Sequence, residues 1–215
     1  MRPKLGKEYS LVNYVKKLKD QQLLVEKKLY NKENEPIRGI NYHSKKIDKN
    51  HIFICKGLQF KSEYLEEAIN NGAIMYIAER KYEVDREIPY VLVKDIRKAM
   101  ALLASLFYDY PQKKLKIIGV GGTKGKTTTA YFFKSALDSY LSDHQKKPAG
   151  LISSLMNYDG VEKKKSELTT LESLELIQYL ATAFQAGIEY FVLEVSSQAL
   201  KYHRTFGITF DLAVF

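Results

Sequence analysis

The sequence has 215 residues, enough for one large or two small domains with cores of their own. Hydrophobic residues make up 45% and charged residues 27%, as in a soluble globular chain, and the longest apolar-rich run, Ala99–Tyr108, is about half the length of a membrane span. The single cysteine, Cys55, excludes an internal disulfide and fits a reducing cytoplasm, while the net charge of +9 suits anionic ligands.

The N-terminal twenty residues are basic without an apolar centre, which excludes a signal peptide. Lysines are scattered along the chain rather than gathered in a stripe with aromatics, so solvated surface is preferred to a nucleic-acid site. Tyr9–Lys19 carries Leu11, Val15 and Leu18 at helical spacing. Ile40–Phe60 reads as strand and loop, with Cys55 as a buried small hydrophobe. Tyr64–Asn71 reads as a helix stopped by Gly72. Ala73–Ala78 and Tyr90–Val93 are buried-type strands, and Asp95–Tyr108 is a helix. Strands alternating with helices predict an α/β layer.

Asp109–Lys114 is polar and contains Pro111, the best boundary in the chain. It divides a small N-terminal α/β domain, 1–110, from a mostly parallel-sheet domain, 111–215. The second domain opens with the strand Lys116–Val120, the glycine-rich turn at Gly121, Gly122 and Gly125, and a helix over Thr127–Leu141. Strand, glycine turn and helix with Lys-Thr at the helix entrance form a phosphate cradle. In such a cradle Lys126 reaches terminal phosphates and the Thr127 hydroxyl ligates a divalent metal. Spacing departs by one residue from the plain P-loop pattern, since Gly119 rather than residue 120 is the upstream glycine.

Ala149–Ser153 follows as a strand, then a charged hairpin or loop through Asn157–Gly160 and the lysine run. Leu171–Ala186 is a helix presenting Leu174, Ile177, Leu180, Ala181 and Phe184 on one face. Thr169 and Thr170 precede it, either as N-caps or as hydroxyls offered to an anionic ligand. Tyr190–Val195 is an apolar strand interrupted by Glu194. A carboxylate there is costly unless met by partners. Magnesium of a bound nucleotide is one such partner, and solvent at the strand mouth is the other reading. Ser196, Ser197 and Gln198 follow, where α/β strands deliver ligand-binding residues. Arg204 is suited to hold a carboxylate or phosphate bidentately, and His203 is read as a packing or surface residue. Phe210–Phe215 is a last, core-type strand, and the sequence is expected to be the front part of something longer.

The stretches GVGGTKGKTTTAYF, SELTTLESLEL and EVSSQALKYHRTFGITFDLAVF, in this order, resemble the central domain of the Mur ligase family. The resemblance is to the branch that adds the third peptide residue to UDP-N-acetylmuramoyl-L-alanyl-D-glutamate. That family uses G-x-x-G-T-x-G-K-[ST], which Gly119–Thr127 satisfies. YHSKKIDKNHIFICKG resembles its N-terminal domain, and the match covers about Ile40–Ala78 and Lys116–Phe215. The resemblance implies a P-loop central domain and an ATP- and Mg2+-dependent cytoplasmic ligase of peptidoglycan precursor synthesis. Its substrates are a UDP-N-acetylmuramoyl-dipeptide and an amino acid, L-lysine or another diamino acid. It implies no nucleic acid or membrane insertion.

By the same resemblance, Gly122, Thr123, Lys124, Gly125, Lys126, Thr127 and Thr128 hold the ATP phosphates. Thr127 and Glu194 bind metal, and Lys126 and Glu194 serve catalysis. Ser44, Leu58, Gln59 and Phe60 line the uridine diphosphate end, and Thr169, Thr170, Ser196 and Arg204 hold the muramoyl-dipeptide. The chain departs from the family at His43-Ser44-Lys45, where the motif is D-S-R, at Leu171, where it has proline, and at Tyr202. An Asp-His segment, a carbamylated lysine and a C-terminal domain follow in the family, so this chain alone is expected not to complete ligation. Two alternatives stand beside this reading: a non-catalytic nucleotide or UDP-sugar binder, and a superfamily ligase of the folylpolyglutamate type.

Overall fold

The computed structural model describes residues 8–57 and 59–215. They divide into two compact units, 8–107 and 108–215. In the first unit, α1 (Leu11–Asp20) buries Leu11, Tyr14, Val15 and Leu18, one face of a helix at i, i+3, i+4 and i+7. Strands β1 (Leu24–Lys28), β2 (Gly39–Asn41), β3 (His51–Ile54), β4 (Ala73–Ala78) and β5 (Tyr90–Val93) form one sheet, with α2 (Ser62–Asn70) and α3 (Ile96–Phe107) between and after them. Its order is β1-β5-β4-β3-β2, with β1 antiparallel to β5 and the others parallel.

Strand β4 is buried at every residue because it lies inside the sheet with helices to cover it, and its AIMYIA sequence shows no alternation for that reason. Strand β1 has no counterpart among the sequence expectations. Its LVEKK sequence is exposed along most of its length, and edge pairing to β5 through the main chain needs no apolar pattern.

The second unit contains β6 (Lys116–Val120), α4 (Lys126–Asp143), β7 (Gly150–Ile152), β8 (Met156–Tyr158), β9 (Lys163–Lys165), α5 (Ser173–Gln185), β10 (Tyr190–Glu194), α6 (Ser197–Lys201) and β11 (Leu212–Val214). Its sheet runs β11-β6-β10-β7-β8-β9. The first four strands are parallel, and β8 and β9 extend the sheet as antiparallel hairpins. Strand β10 lies between β6 and β7, and its Phe191, Val192 and Leu193 are fully buried. Burying each of them is worth about 1.5–3 kcal/mol. Together they offset the several kcal/mol of holding a desolvated carboxylate at the end of the same strand.

One side-chain expectation fails. Phe184 on α5 is 42% exposed, and the Lys114 ammonium sits 5.2 Å from its ring instead of a core neighbour. It falls in the last turn of the helix, beyond the sheet surface that buries Leu180 and Ala181. Strand β11, the last of the described strands, pairs in parallel with β6.

Candidate functional site

The site of the second unit forms at the carboxyl ends of its parallel strands. Residues β6 Val120 and β10 Glu194 are paired neighbours at that end. The chain leaves β6 on one side for α4 and β7, while β10 leads to β11 on the other, so the strand order reverses beside this loop. The turn after β6 needs positive φ at Gly122 (+127°) and Gly125 (+74°), a conformation that side chains with a Cβ rarely adopt. Gly125 is the residue before the first turn of α4, an 18-residue helix whose unpaired N-terminal amides face the turn. Such a terminus attracts anions through its N–H groups and its dipole. Lys126 lies in that first turn, and its ammonium donates to the Gly122 carbonyl at 2.9 Å, folding over the loop.

Glu194 is 1% exposed, and its carboxylate is met by neutral donors. The Thr127 hydroxyl lies 3.0 and 3.1 Å from its two oxygens. The Ser154 amide donates to Oε2 at 2.8 Å and the Ser154 hydroxyl to Oε1 at 3.0 Å. These groups line a cleft of 340 Å³ together with Thr123–Thr128, Thr169 and Ser196. The donor set suits magnesium: hard oxygens, with one carboxylate and one hydroxyl side by side, leaving the remaining positions to phosphate and water. Among the described residues no group of three or more His, Cys, Asp or Glu side chains forms an all-protein metal site.

The loop before α5 joins this cluster. Thr170 is buried and does not cap α5, whose N-cap is Glu172 without a side-chain bond. Its hydroxyl instead donates to the main-chain carbonyl of Glu194 at 2.8 Å and accepts from the Ser196 amide at 3.1 Å. A buried strand end leaves those backbone groups without a ladder partner, so the threonine is recruited there. Thr169 reaches the Ser154 hydroxyl at 3.1 Å. Ser196 caps α6 by accepting from the Ala199 amide at 3.1 Å. Arg204 donates to the Thr170 carbonyl at 2.9 Å and forms a 2.6 Å ion pair with Glu172, so its guanidinium staples the 170–172 loop.

Ser154 is the site residue that sequence reasoning missed. It follows a three-residue strand and carries no glycine or charge pattern to draw notice. The apolar run before it at Ala149–Ile152, ending in parallel with β10, was the available signal.

In the first unit, Ser44, Gln59 and Phe60 line a cavity of 590 Å³ with Tyr42, Lys56 and Glu67. The Ser44 hydroxyl donates to Glu67, the Asn71 side chain donates to the Ser44 carbonyl at 3.1 Å, and the Lys56 ammonium lies 4.2 Å from the Tyr42 ring centre. Leu58 lies outside the described residues. No described helix is long and apolar enough to cross a membrane.

Strand, glycine turn, basic helix entrance and buried carboxylate on the adjacent strand define the second unit as a phosphate-loop α/β domain. Residues 120–215 match the Mur ligase middle domain. The chain belongs to the Mur ligase family, in the branch that includes the UDP-N-acetylmuramyl-tripeptide synthetases. It is 46% identical over 179 residues to the UDP-N-acetylmuramoyl-L-alanyl-D-glutamate--L-lysine ligase of Enterococcus faecalis, covering 83% of this chain and 34% of that protein. It is also 46% identical over 176 residues to the UDP-N-acetylmuramyl-tripeptide synthetase of Lactococcus lactis subsp. cremoris, covering 82% and 35%. The chain therefore spans about a third of the length of the curated relatives it matches. A solved UDP-N-acetylmuramoyl-L-alanyl-D-glutamate--2,6-diaminopimelate ligase shares the fold, with a TM-score of 0.73 at 22% identity over 96% of this chain and 40% of that one.

Proposed function

We propose that this chain binds ATP with Mg2+ at Gly122–Thr128 and a UDP-N-acetylmuramoyl-dipeptide, and takes part in ATP-dependent addition of the third peptide residue in peptidoglycan precursor synthesis. The incoming residue is a diamino acid, L-lysine in the name of the Enterococcus relative. A cytoplasmic location goes with this reading, since ATP is the phosphoryl donor. The observation that carries it is the Thr127 hydroxyl set against both oxygens of buried Glu194 at the mouth of a glycine turn.

In the proposed chemistry a substrate carboxylate attacks the γ-phosphate, ADP leaves, and an acyl phosphate forms. The amine then displaces inorganic phosphate and loses a proton to give the amide. Phosphoryl transfer of this kind is mainly positioning and charge neutralisation. Magnesium, when bound, would neutralise charge that builds on the phosphates. Turn amides and the α4 N-terminus hold the phosphates, Lys126 leaves the Gly122 carbonyl to meet them, and Thr127 and Glu194 hold the metal. Thr169 and Thr170, on the loop before α5, and Ser196, at the start of α6, would hold the dipeptide group. Ser44, Gln59 and Phe60 line the first unit's cavity, which would take a uridine diphosphate group.

Calorimetric titration with Mg-ATP, and separately with the UDP-N-acetylmuramoyl-dipeptide, tests the proposal. Binding of both, with Mg-ATP affinity lost in Lys126→Ala and sugar-nucleotide affinity lowered in Ser44→Ala, is the expected outcome. Failure of both ligands to bind at millimolar concentration would sink it.

A further inference from the structure

We propose that Ser154 is a positioning residue for Glu194, holding its carboxylate in the orientation that receives a divalent cation. The inference rests on the nucleotide-binding reading above and adds to it a residue on β7–β8. One residue supplies two donors to two different oxygens: the Ser154 amide to Oε2 at 2.8 Å and its hydroxyl to Oε1 at 3.0 Å. A glutamate side chain has three rotatable bonds, and a clasp at both oxygens fixes the last of them, which packing against the strand does not reach.

The clasp is itself held rigidly. Between β7 and β8 the chain turns through Ser153–Met156. Ser153 is fully buried, donates its hydroxyl to the Met156 carbonyl at 2.9 Å, and accepts from the Met156 amide at 3.1 Å. The inner serine thus locks the turn, and the outer one presents its amide and hydroxyl to Glu194.

Hydrogen-bond direction follows from chemistry. An ionised carboxylate only accepts, so the single Ser154 hydroxyl proton points at Glu194. The Thr169 contact at 3.1 Å must then run the other way, with Thr169 donating to the Ser154 oxygen. Thr169, Ser154 and Glu194 form a donor chain of one polarity, in which each bond strengthens the next. Partners that orient a metal ligand contribute to metal affinity without touching the metal.

The test uses the 215-residue chain. Mn2+ is titrated by electron paramagnetic resonance against its complex with a non-hydrolysable ATP analogue, and affinity for the same analogue is measured in EDTA. Ser154→Ala should weaken Mn2+ binding about tenfold, while the affinity in EDTA stays within about twofold. Ser154→Thr restores the hydroxyl, and because Ser154 is exposed its extra methyl has room. It should recover Mn2+ affinity to within about threefold of the unsubstituted chain. Unchanged Mn2+ affinity in Ser154→Ala, an equal loss in EDTA, or no rescue by threonine would overturn the assignment while leaving the nucleotide reading intact. Failure of the unsubstituted chain to bind Mn2+ with the analogue would overturn the reading itself, and the assignment with it.

Discussion

Thr127 and Glu194, 67 residues apart in sequence, meet with the threonine hydroxyl 3.0 and 3.1 Å from the two carboxylate oxygens. One stands in the first turn of α4 and the other at the end of β10, and both positions are set by the pairing of β10 with β6. Glu194→Gln replaces one acceptor oxygen by an NH2 group. That group would face the Ser154 and Thr127 donors, so about 1–3 kcal/mol of stability should be lost along with the charge. The expected result is a lower denaturation midpoint and Mn2+ affinity reduced more than tenfold, by roughly the loss of a charged ligand. A variant that keeps full Mn2+ affinity would remove Glu194 from the metal site.

Much of this site is legible in the sequence because its chemistry is concentrated in short runs. Gly122–Thr127 announces a phosphate turn through glycine and Lys-Thr, and a lone Glu194 in YFVLEV has no apolar reason to be there. Arrangements that depend on three-dimensional neighbours are not legible in that way. Thr170 before a helix has the local look of a cap, yet the open backbone groups at the end of β10 compete for its hydroxyl and win. Ser154 looks like any turn serine until β7 is set beside β10. Strand β1 is hidden for the opposite reason, since an exposed edge strand needs no hydrophobic signature. Phe184 shows the limit of periodicity, which gives the face of a helix but not how far along it the sheet extends.

The Arg204 guanidinium is engaged inside the protein by Glu172 and the Thr170 carbonyl. Both ionic side chains are largely buried, at 12% and 14% exposure. Removing one partner of such a pair leaves an uncompensated charge and costs about 3–5 kcal/mol. Arg204→Ala should therefore lower the unfolding midpoint strongly. Arg204→Lys keeps the charge without the fork that reaches both acceptors, and should fall between the two. If Arg204→Ala leaves the urea midpoint unchanged, the staple has no structural weight.

Gly119 opens the glycine motif, but its environment is one of packing rather than phosphate. A Cβ there would lie 2.7 Å from the Phe210 ring, whereas nothing stands within 4 Å of one at Gly125. Gly119→Ala should thus destabilise the second unit by about 1–3 kcal/mol, as overpacking does. Phe210→Leu in the same chain should recover part of that loss, which a double-mutant cycle reads as coupling between neighbours. Gly125→Ala, strained by its positive φ, should instead act on Mg-ATP affinity, because the residue borders the cleft. Additive losses at 119 and 210 would show that the ring does not account for the glycine.

His51 gives the first unit a pH dependence. Its ring lies against Gly39, where a Cβ would come within 2.4 Å of it, and its Nδ1 accepts the Asp48 amide at 3.2 Å. Burial holds its pKa below the ordinary histidine value, against the opposing pull of the Asp48 charge and the Lys46 carbonyl. A histidine whose pKa is depressed in the folded state takes up its proton more readily when unfolded. Stability is therefore fully present above about pH 6.5 and falls as the pH drops toward the folded-state value, then levels off. Protonation at Nδ1 would also remove the acceptor for the Asp48 amide. Urea midpoints measured from pH 7.5 down to 5 should decline in the parent chain and decline less in His51→Asn. Parallel declines in the two would assign the dependence to other groups.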